Sequence, residues 1–305
     1  MIAHANDAPA RAARLSVFSN AGLVVLKLVV GLHIASVSVL SEAIHSGIDL
    51  LAALIAWYAV RMSHVPPDEG HPYGHGKVES ISGTVEAFLI FVAGAWIIVE
   101  AVRGIVTGHQ SEAVTWGLAV MALSAVVNTL VSRHLFRVAK EHDSVALEAD
   151  AHHLSVDVYT SVGVLVGLGL VAVTGWHVLD PIVAIGVGLL IVYTAYGITK
   201  TAFAPLLDAT LPTEEVKAVE DAICSHGQVR GYHHLRTRKA GAVRFVDFHL
   251  LLDDELTLAE SHRISHEVKD CVLHALPGAV VEIHVEPYQE ELQAKGDAIT
   301  LPSSD

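Results

Sequence analysis

Residues 41–60 read SEAIHSGIDLLAALIAWYAV, and residues 148–167 read EADAHHLSVDVYTSVGVLVG. Each belongs to an apolar stretch long enough to cross a bilayer. Each carries a histidine followed four residues later by an aspartate: His45 and Asp49 in the first, His153 and Asp157 in the second. That spacing sets both side chains of a pair on one helix face, one turn apart. Ionisable groups at membrane depth are costly, so they face a bundle interior and mark ion paths or relays. A single histidine in an apolar helix is most simply a packed, hydrogen-bonded residue. Two matched pairs on two helices ask for more, because two buried carboxylates need counter-charge, which one divalent cation supplies. Two imidazole nitrogens and two carboxylate oxygens suit tetrahedral zinc. The pattern implies a helical membrane bundle that passes a divalent metal.

Six apolar stretches lie at roughly residues 13–32, 38–61, 79–104, 113–136, 147–173 and 179–204, each reaching the ~20 residues needed to span the hydrocarbon core. The composition agrees. Of 305 residues, 52% are hydrophobic and 17% charged, against roughly 25% charged in soluble domains, and the mean hydropathy is +0.49. A net charge of −14 argues against nucleic acid as a partner. Arg11 and Arg14 precede the first apolar run as in a signal peptide, but the run is longer than a signal core and further spans follow, so it reads as the first membrane helix. Arg61, Lys77, Arg133, Arg137, Lys140, Arg11, Arg14 and Lys200 all fall on one side of the spans, which places both termini in the cytoplasm. Arg103 dissents, near the outer end of the third span, where its head can snorkel.

After Pro205 the composition turns soluble and acidic. A helix is expected from Thr213, its N-cap, to about His226, then strands over 229–238 and 243–252 joined by a Lys239-Ala240-Gly241 turn. A helix over 258–276 closed by Pro277-Gly278 and a strand over 279–285 follow. The order αββαβ predicts a small α+β domain. The organisation is then a cytoplasmic tail (1–12), a six-helix membrane domain (13–207), a cytoplasmic metal-binding domain (208–290) and a disordered tail (291–305). Cys224 and Cys271 form no CxxC pair, and read as reduced, packed thiols of a cytosolic domain.

Two more clusters have ligand chemistry. Asp68, His71 and His75 lie in VPPDEGHPYGHGK, a Pro- and Gly-rich loop on the cytoplasmic side; one carboxylate and two imidazoles can hold zinc and leave a position open, although a solvated polar loop reads the same way. His233, His249, His262, His284 and Glu286 are spread through the terminal domain, with His284 and Glu286 alternating onto one strand face. His234 is the alternative to His233, and His262 and His266 stand one helical turn apart, so either could serve. His266-Glu267-x-x-Asp270 lacks the second histidine of a zincin, so no peptidase is read there. Asn20, Lys27 and Glu86 also lie within spans, and Glu100 nearer an end.

SEAIHSGIDLL, DEGHPYGHGKVES, EADAHHLSVD, HHLRTRKAG, RFVDFHL and IHVEPY together resemble the cation diffusion facilitator family of metal/proton antiporters, most of all its bacterial zinc exporters. The resemblance runs from about Arg11 to Tyr288. It implies a homodimer with six transmembrane helices per subunit and a ferredoxin-like, metallochaperone-like cytoplasmic domain, in a bacterial inner membrane. It implies transported metal at His45, Asp49, His153 and Asp157, a loop site at Asp68, His71 and His75, and a regulatory binuclear site at His233, His249, His262, His284 and Glu286. Lys77 and Asp208 match a charged pair that links membrane and soluble parts in similar proteins. His45 and Glu286 depart from relatives that carry Asp there; an all His/Asp quartet favours Zn2+, with Cd2+, Co2+, Fe2+ or Mn2+ as weaker substrates.

The expected activity is therefore Zn2+ efflux by proton antiport, with zinc on the cytoplasmic domain regulating the dimer. Binding zinc needs neutral imidazoles and ionised carboxylates and so releases protons. The competing reading is a membrane metal sensor that signals through its soluble domain without transport, but a sensor has no need of buried ligands at membrane depth. An enzyme is not expected, because no general base stands beside an open metal site.

Overall fold

The computed structural model describes residues 8–33, 37–107, 115–176, 178–289 and 300. The chain divides after Ala204 into two compact units. The first consists of six helices: α1 (Ala8–His33), α2 (Val37–Ser63), α3 (Lys77–Thr107), α4 (Thr115–His142), α5 (Val145–Thr174) and α6 (Leu179–Phe203). All six are long and apolar enough to cross a membrane. Their outer surfaces carry large apolar side chains, such as Phe88 (63% exposed), Trp96 (64%) and Val173 (88%). Lipid solvates such a surface, whereas water would penalise it.

Inside the bundle, small residues set the approach of the helices. α1 pairs with α2, α4 with α5, and α3 packs on α6 and α5. Gly94 and Gly188 bring α3 and α6 together: a Cβ on either would stand 3.2 Å from the other's carbonyl oxygen. Without a hydrophobic drive between helices in lipid, such close backbone approach supplies the association.

The helices overrun the apolar stretches. α1 begins at Ala8, and α4 continues to His142 through Arg133, Arg137 and Lys140. Hydropathy reads the thickness of the hydrocarbon, whereas caps set helix ends. For α5 the start is Ser144, whose hydroxyl accepts from Leu147 N at 3.4 Å, and the end is Gly175 at φ +73, whose N–H bonds Val171 O. A left-handed residue of this kind is a common helix terminator and costs glycine nothing. Glu79, 4% exposed in the first turn of α3, ties three helix ends together: it accepts from Ser63 Oγ at 2.7 Å and Ser144 Oγ at 2.6 Å.

The second unit opens with a 3-10 turn (Ala204–Leu207), then α7 (Thr213–Cys224), β1 (Gly231–Ala240), β2 (Val243–Leu252), α8 (Leu258–Ala275) and β3 (Val280–Pro287). β1 and β2 form an antiparallel hairpin and β3 adds parallel to β2. Ile264, Val268 and Val272 of α8 and Val219 and Ile223 of α7 share one core with Val246, Phe248, Leu250 and Leu252 of β2. Alternation then turns Asp247 and His249 to the opposite sheet face. Thr213 was expected as the N-cap of α7; it is instead the first helical residue, and Pro212 precedes it with no side-chain cap. Glu214 and Glu215 in the first turn face the helix N-terminus in its place. The expected tail falls on residues outside the described ones, except Thr300. That residue exchanges two backbone hydrogen bonds with Tyr232, at 2.9 and 3.0 Å, on the edge of β1.

Candidate metal sites

Helices α2 and α5 bring the four intramembrane residues together around Asp49. His153 Nε2 lies 3.1 Å from Asp49 Oδ1, and His45 Nε2 lies 3.9 Å from the same oxygen. His45, Asp49 and Asp157 each place one ligand atom within 4.8 Å of the others. Asp49 is 4% exposed and His153 9%, while the His45 side chain is 51% exposed. Three of the four, one imidazole and two carboxylates, are thus within reach of one cation, with His45 on the open side, while His153 is set against them through its contact with Asp49.

The surroundings include residues that sequence reasoning missed or left undecided. Asn128 of α4 donates from Nδ2 to Asp157 Oδ2 at 3.2 Å, which orients that carboxylate. No pattern in α4 singled it out. Lys27 of α1 is buried and donates to Ser46 Oγ at 2.7 Å and Glu42 Oε2 at 3.2 Å, so it faces the bundle. Glu86 of α3 is fully buried, and among the described residues neither of its oxygens has a hydrogen-bond partner. Asp150 is 1% exposed, and among the described residues its Oδ2 has no hydrogen-bond partner. Both interact electrostatically with His153. Arg103 sits 3.7 Å from Glu100, one turn away on α3.

The loop between α2 and α3 folds on Asp68. His71 N donates to Asp68 Oδ1 at 2.7 Å, His71 Nδ1 lies 3.2 Å from the same oxygen, and His75 Nε2 lies 3.5 Å from Oδ2. The His71 backbone N–H, then the two imidazoles, hold the Asp68 carboxyl below its ordinary value against a desolvation cost. The two rings stand 4.4 Å apart. Three donors are thus gathered on an exposed turn.

In the second unit the strand register aligns one histidine per strand: His233 opposite His249, and His249 beside His284. Glu286 collects them. Its Oε2 lies 2.7 Å from His233 Nε2, and its Oε1 lies 3.0 Å from His249 Nδ1 and 3.5 Å from His284 Nε2. Burial raises the Glu286 carboxyl, but hydrogen bonds from His233 and His249 outweigh it and leave the group below its ordinary value. A β-bulge follows His233, and His234 adopts φ +51, which a non-glycine residue rarely does. The bulge breaks strand alternation and sets His234 with its ring 4.7 Å from His233 and 5.2 Å from His249. A cavity of about 380 Å³ beside them is lined by His234, His249, His284, Asp247 and Glu282.

His262 stands apart from this group. It lies on α8, which packs on the helix-covered face of the sheet, while the cluster occupies the other face. Its ring instead faces His266 at 4.5 Å. Of the two charged residues marked for a link, Lys77 opens α3 in the first unit. Asp208 follows the 3-10 turn in the second at φ +53, 3.5 Å from Arg238 Nη1.

Two family models match the chain: the cation efflux transmembrane domain over residues 13–207, and the cytoplasmic domain of cation efflux proteins over residues 211–288. The chain is 34% identical to the cation-efflux pump FieF of Klebsiella pneumoniae, over 91% of this chain and 92% of the pump. It is 33% identical to the uncharacterized transporter sll1263 of Synechocystis sp., over 84% and 83% of the two chains. A solved structure of CzrB in its zinc form is 35% identical and covers 27% of this chain and 93% of its own, with a TM-score of 0.25.

Proposed function

The chain belongs to the cation efflux family, the cation diffusion facilitators, and on that premise we propose that it exports Zn2+ from the bacterial cytoplasm in exchange for protons. The coarser statement needs no proposal: it is a multi-pass membrane cation efflux transporter. The zinc reading rests on the donor set at Asp49: His45, Asp49 and Asp157 gathered from two helices, with the His153 imidazole 3.1 Å from Asp49 as the fourth group. Nitrogen and oxygen donors in a four-residue set suit Zn2+ better than the larger, oxygen-rich shells of Mn2+ or Ca2+. Cd2+, Co2+, Fe2+ and Mn2+ are then weaker cargoes.

Proton exchange follows from the ligands. His45 and His153 bind metal only when neutral, and Asp49 and Asp157 only when ionised, so loading the site expels protons. An imidazole ordinarily titrates at about 6.5. A site opened to a more acidic exterior therefore gains protons and loses metal. His45 and Asp49 lie on α2, His153 and Asp157 on α5; a shift of one helix against the other changes both the grip on the ion and the side to which it opens. Cations flanking the spans support cytoplasmic termini in an inner membrane. The match to the family's cytoplasmic domain supports a homodimer, in which metal on His233, His249, His284 and Glu286 favours one arrangement of subunits over another.

The test is purified protein in sealed vesicles with a pH-sensitive dye inside. Zn2+ addition should drive proton movement opposite to metal movement, and a pH gradient imposed across the vesicle membrane should in turn drive Zn2+ movement against the protons. Zn2+ flux without proton movement would end the antiport reading, and no metal flux at all would favour the sensor.

A further inference from the structure

Lys27 is a buried cation in the first span that no step of the proposed cycle uses. Its ammonium, carried by α1, donates to Ser46 Oγ at 2.7 Å and to Glu42 Oε2 at 3.2 Å, both on α2. A charge inside a membrane-spanning helix is costly, so one held firmly in place marks a functional position.

Its two anchors interleave with the metal ligands of α2. Glu42 and Ser46 stand four residues apart, as His45 and Asp49 do, so the two pairs form adjacent stripes on one helix. Ser46 follows His45 directly and precedes Asp49 by three residues, a spacing that sets side chains about 5–6 Å apart. The hydroxyl therefore pins the ammonium beside the quartet without making it a ligand. Its charge also reaches α5, where it acts on the Asp157 carboxylate. The two charges of the Lys27–Glu42 pair are unequally screened. The Lys27 side chain is 7% exposed and that of Glu42 43%, and a buried charge is screened much less than an open one. The quartet therefore feels the cation more than its partner.

We propose that Lys27 is an affinity-setting residue for transport, a built-in cation that weakens the quartet's grip on the divalent ion and so favours its release. With the site empty, the ammonium supplies part of the positive charge that Asp49 and Asp157 need. An arriving divalent ion brings two more charges against it. Binding is then looser than the donors alone would give. A transport site needs this, because an ion must be held well enough to enter and loosely enough to leave. The inference rests on the quartet being the transport site.

The test uses the full chain in sealed vesicles with Zn2+ as the probe, reading half-saturating metal and maximal rate separately. Lys27→Gln keeps a donor for Ser46 and removes the charge. Its half-saturating Zn2+ should fall about tenfold, a modest share of what one poorly screened charge exerts on another. Lys27→Arg keeps the charge and should stay near native. Glu42→Gln strips the cation of its partner and should move half-saturation the other way, upward. An unchanged circular dichroism spectrum shows Lys27→Gln folded; where it is not, the shift in Glu42→Gln, at a half-exposed position, decides. Half-saturation that rises or stays fixed in folded Lys27→Gln would overturn the role and leave Lys27 a tie between α1 and α2, and so would no rise in Glu42→Gln. Native protein that moves no Zn2+ would end the transport reading and this inference with it, whereas native transport with unshifted variants would end this inference alone.

Discussion

Asp49 Oδ1 and His153 Nε2 lie 3.1 Å apart although 104 residues separate them in the chain. The contact joins α2 to α5 at the depth of both His-x3-Asp pairs, and it makes Asp49 the common neighbour of both imidazoles. Asp49 therefore has two roles, charge and hydrogen-bond acceptor, which two substitutions separate. Asp49→Ala removes both and strands a buried imidazole. Asp49→Asn keeps the shape and an acceptor oxygen but removes the charge. Both should lose zinc flux in vesicles to background while the protein stays folded by circular dichroism. Transport by Asp49→Asn at more than a tenth of the native rate would show that this carboxylate's charge is not needed.

Asn128 acts on the metal only through Asp157, to whose Oδ2 it donates at 3.2 Å. Groups that hold a ligand in place are worth about 10–100-fold in metal affinity or activity. Asn128→Ala should lower zinc affinity or flux by about that factor, well short of what Asp157→Ala removes. Equal losses in the two variants would place Asn128 among the ligands instead, and an unchanged Asn128→Ala would leave Asp157 oriented by something else.

Six helices were legible because apolar length is a strong signal, and the two His-x3-Asp pairs stood out because their spacing repeats. Helix ends were less legible: α4 continues past the apolar stretch through Arg137 and Lys140 to His142, because polar side chains alone do not stop a helix. The bulge at His234 was not legible. Strand alternation sends neighbouring side chains to opposite faces, and a left-handed φ at a histidine leaves no mark in the sequence. Asn128 lacked a signal because its partner lies on another helix. His262 was grouped with the sheet histidines through the family resemblance; which layer it faces within one chain depends on the phase of α8 against its core, and no pattern in the sequence fixes that phase against the sheet cluster.

Gly188→Ala sets two effects against each other. Alanine gains about 1 kcal/mol of helix preference over glycine. Its Cβ, however, would stand 2.6 Å from Ile98 Cγ1 and 3.2 Å from Gly94 O, and overpacking of this kind costs about 1–3 kcal/mol. The backbone of Gly94 cannot yield as a flexible side chain tip would, so the loss should win. The variant's melting midpoint in detergent should fall. A rise would mean that α3 and α6 separate at little cost.

The Glu286 carboxyl is held below its ordinary value by hydrogen bonds from His233 and His249 that outweigh burial. A carboxyl depressed on folding adds stability at pH above its unfolded value, about 4.3 for glutamate, and that stability is lost as pH falls through the folded value. In metal-free protein, wild type should therefore melt higher than Glu286→Gln at neutral pH. The gap should close as pH drops below about 4.3. Melting curves of both proteins between pH 3 and pH 7 check this, and a gap that stays constant would show that the ionised form is not what the histidines favour.

His249→Ala asks what the soluble domain contributes to transport. His249 holds Glu286 through Nδ1 at 3.0 Å and stands in register between His233 and His284, so its loss leaves the cluster with one donor fewer at its centre. The domain has ligands but none of the six spans, and metal bound there can act on the bundle only by preferring one arrangement of the protein to another. Couplings of this kind change affinity by about 5–150-fold. The variant should bind less metal per chain, and its half-saturating zinc for vesicle transport should rise within that range. The maximal rate at high zinc should remain, because the quartet on α2 and α5 is untouched. Loss of the maximal rate in a folded His249→Ala protein would give this cluster a part in the transport step itself, and an unchanged half-saturating zinc would uncouple it from transport.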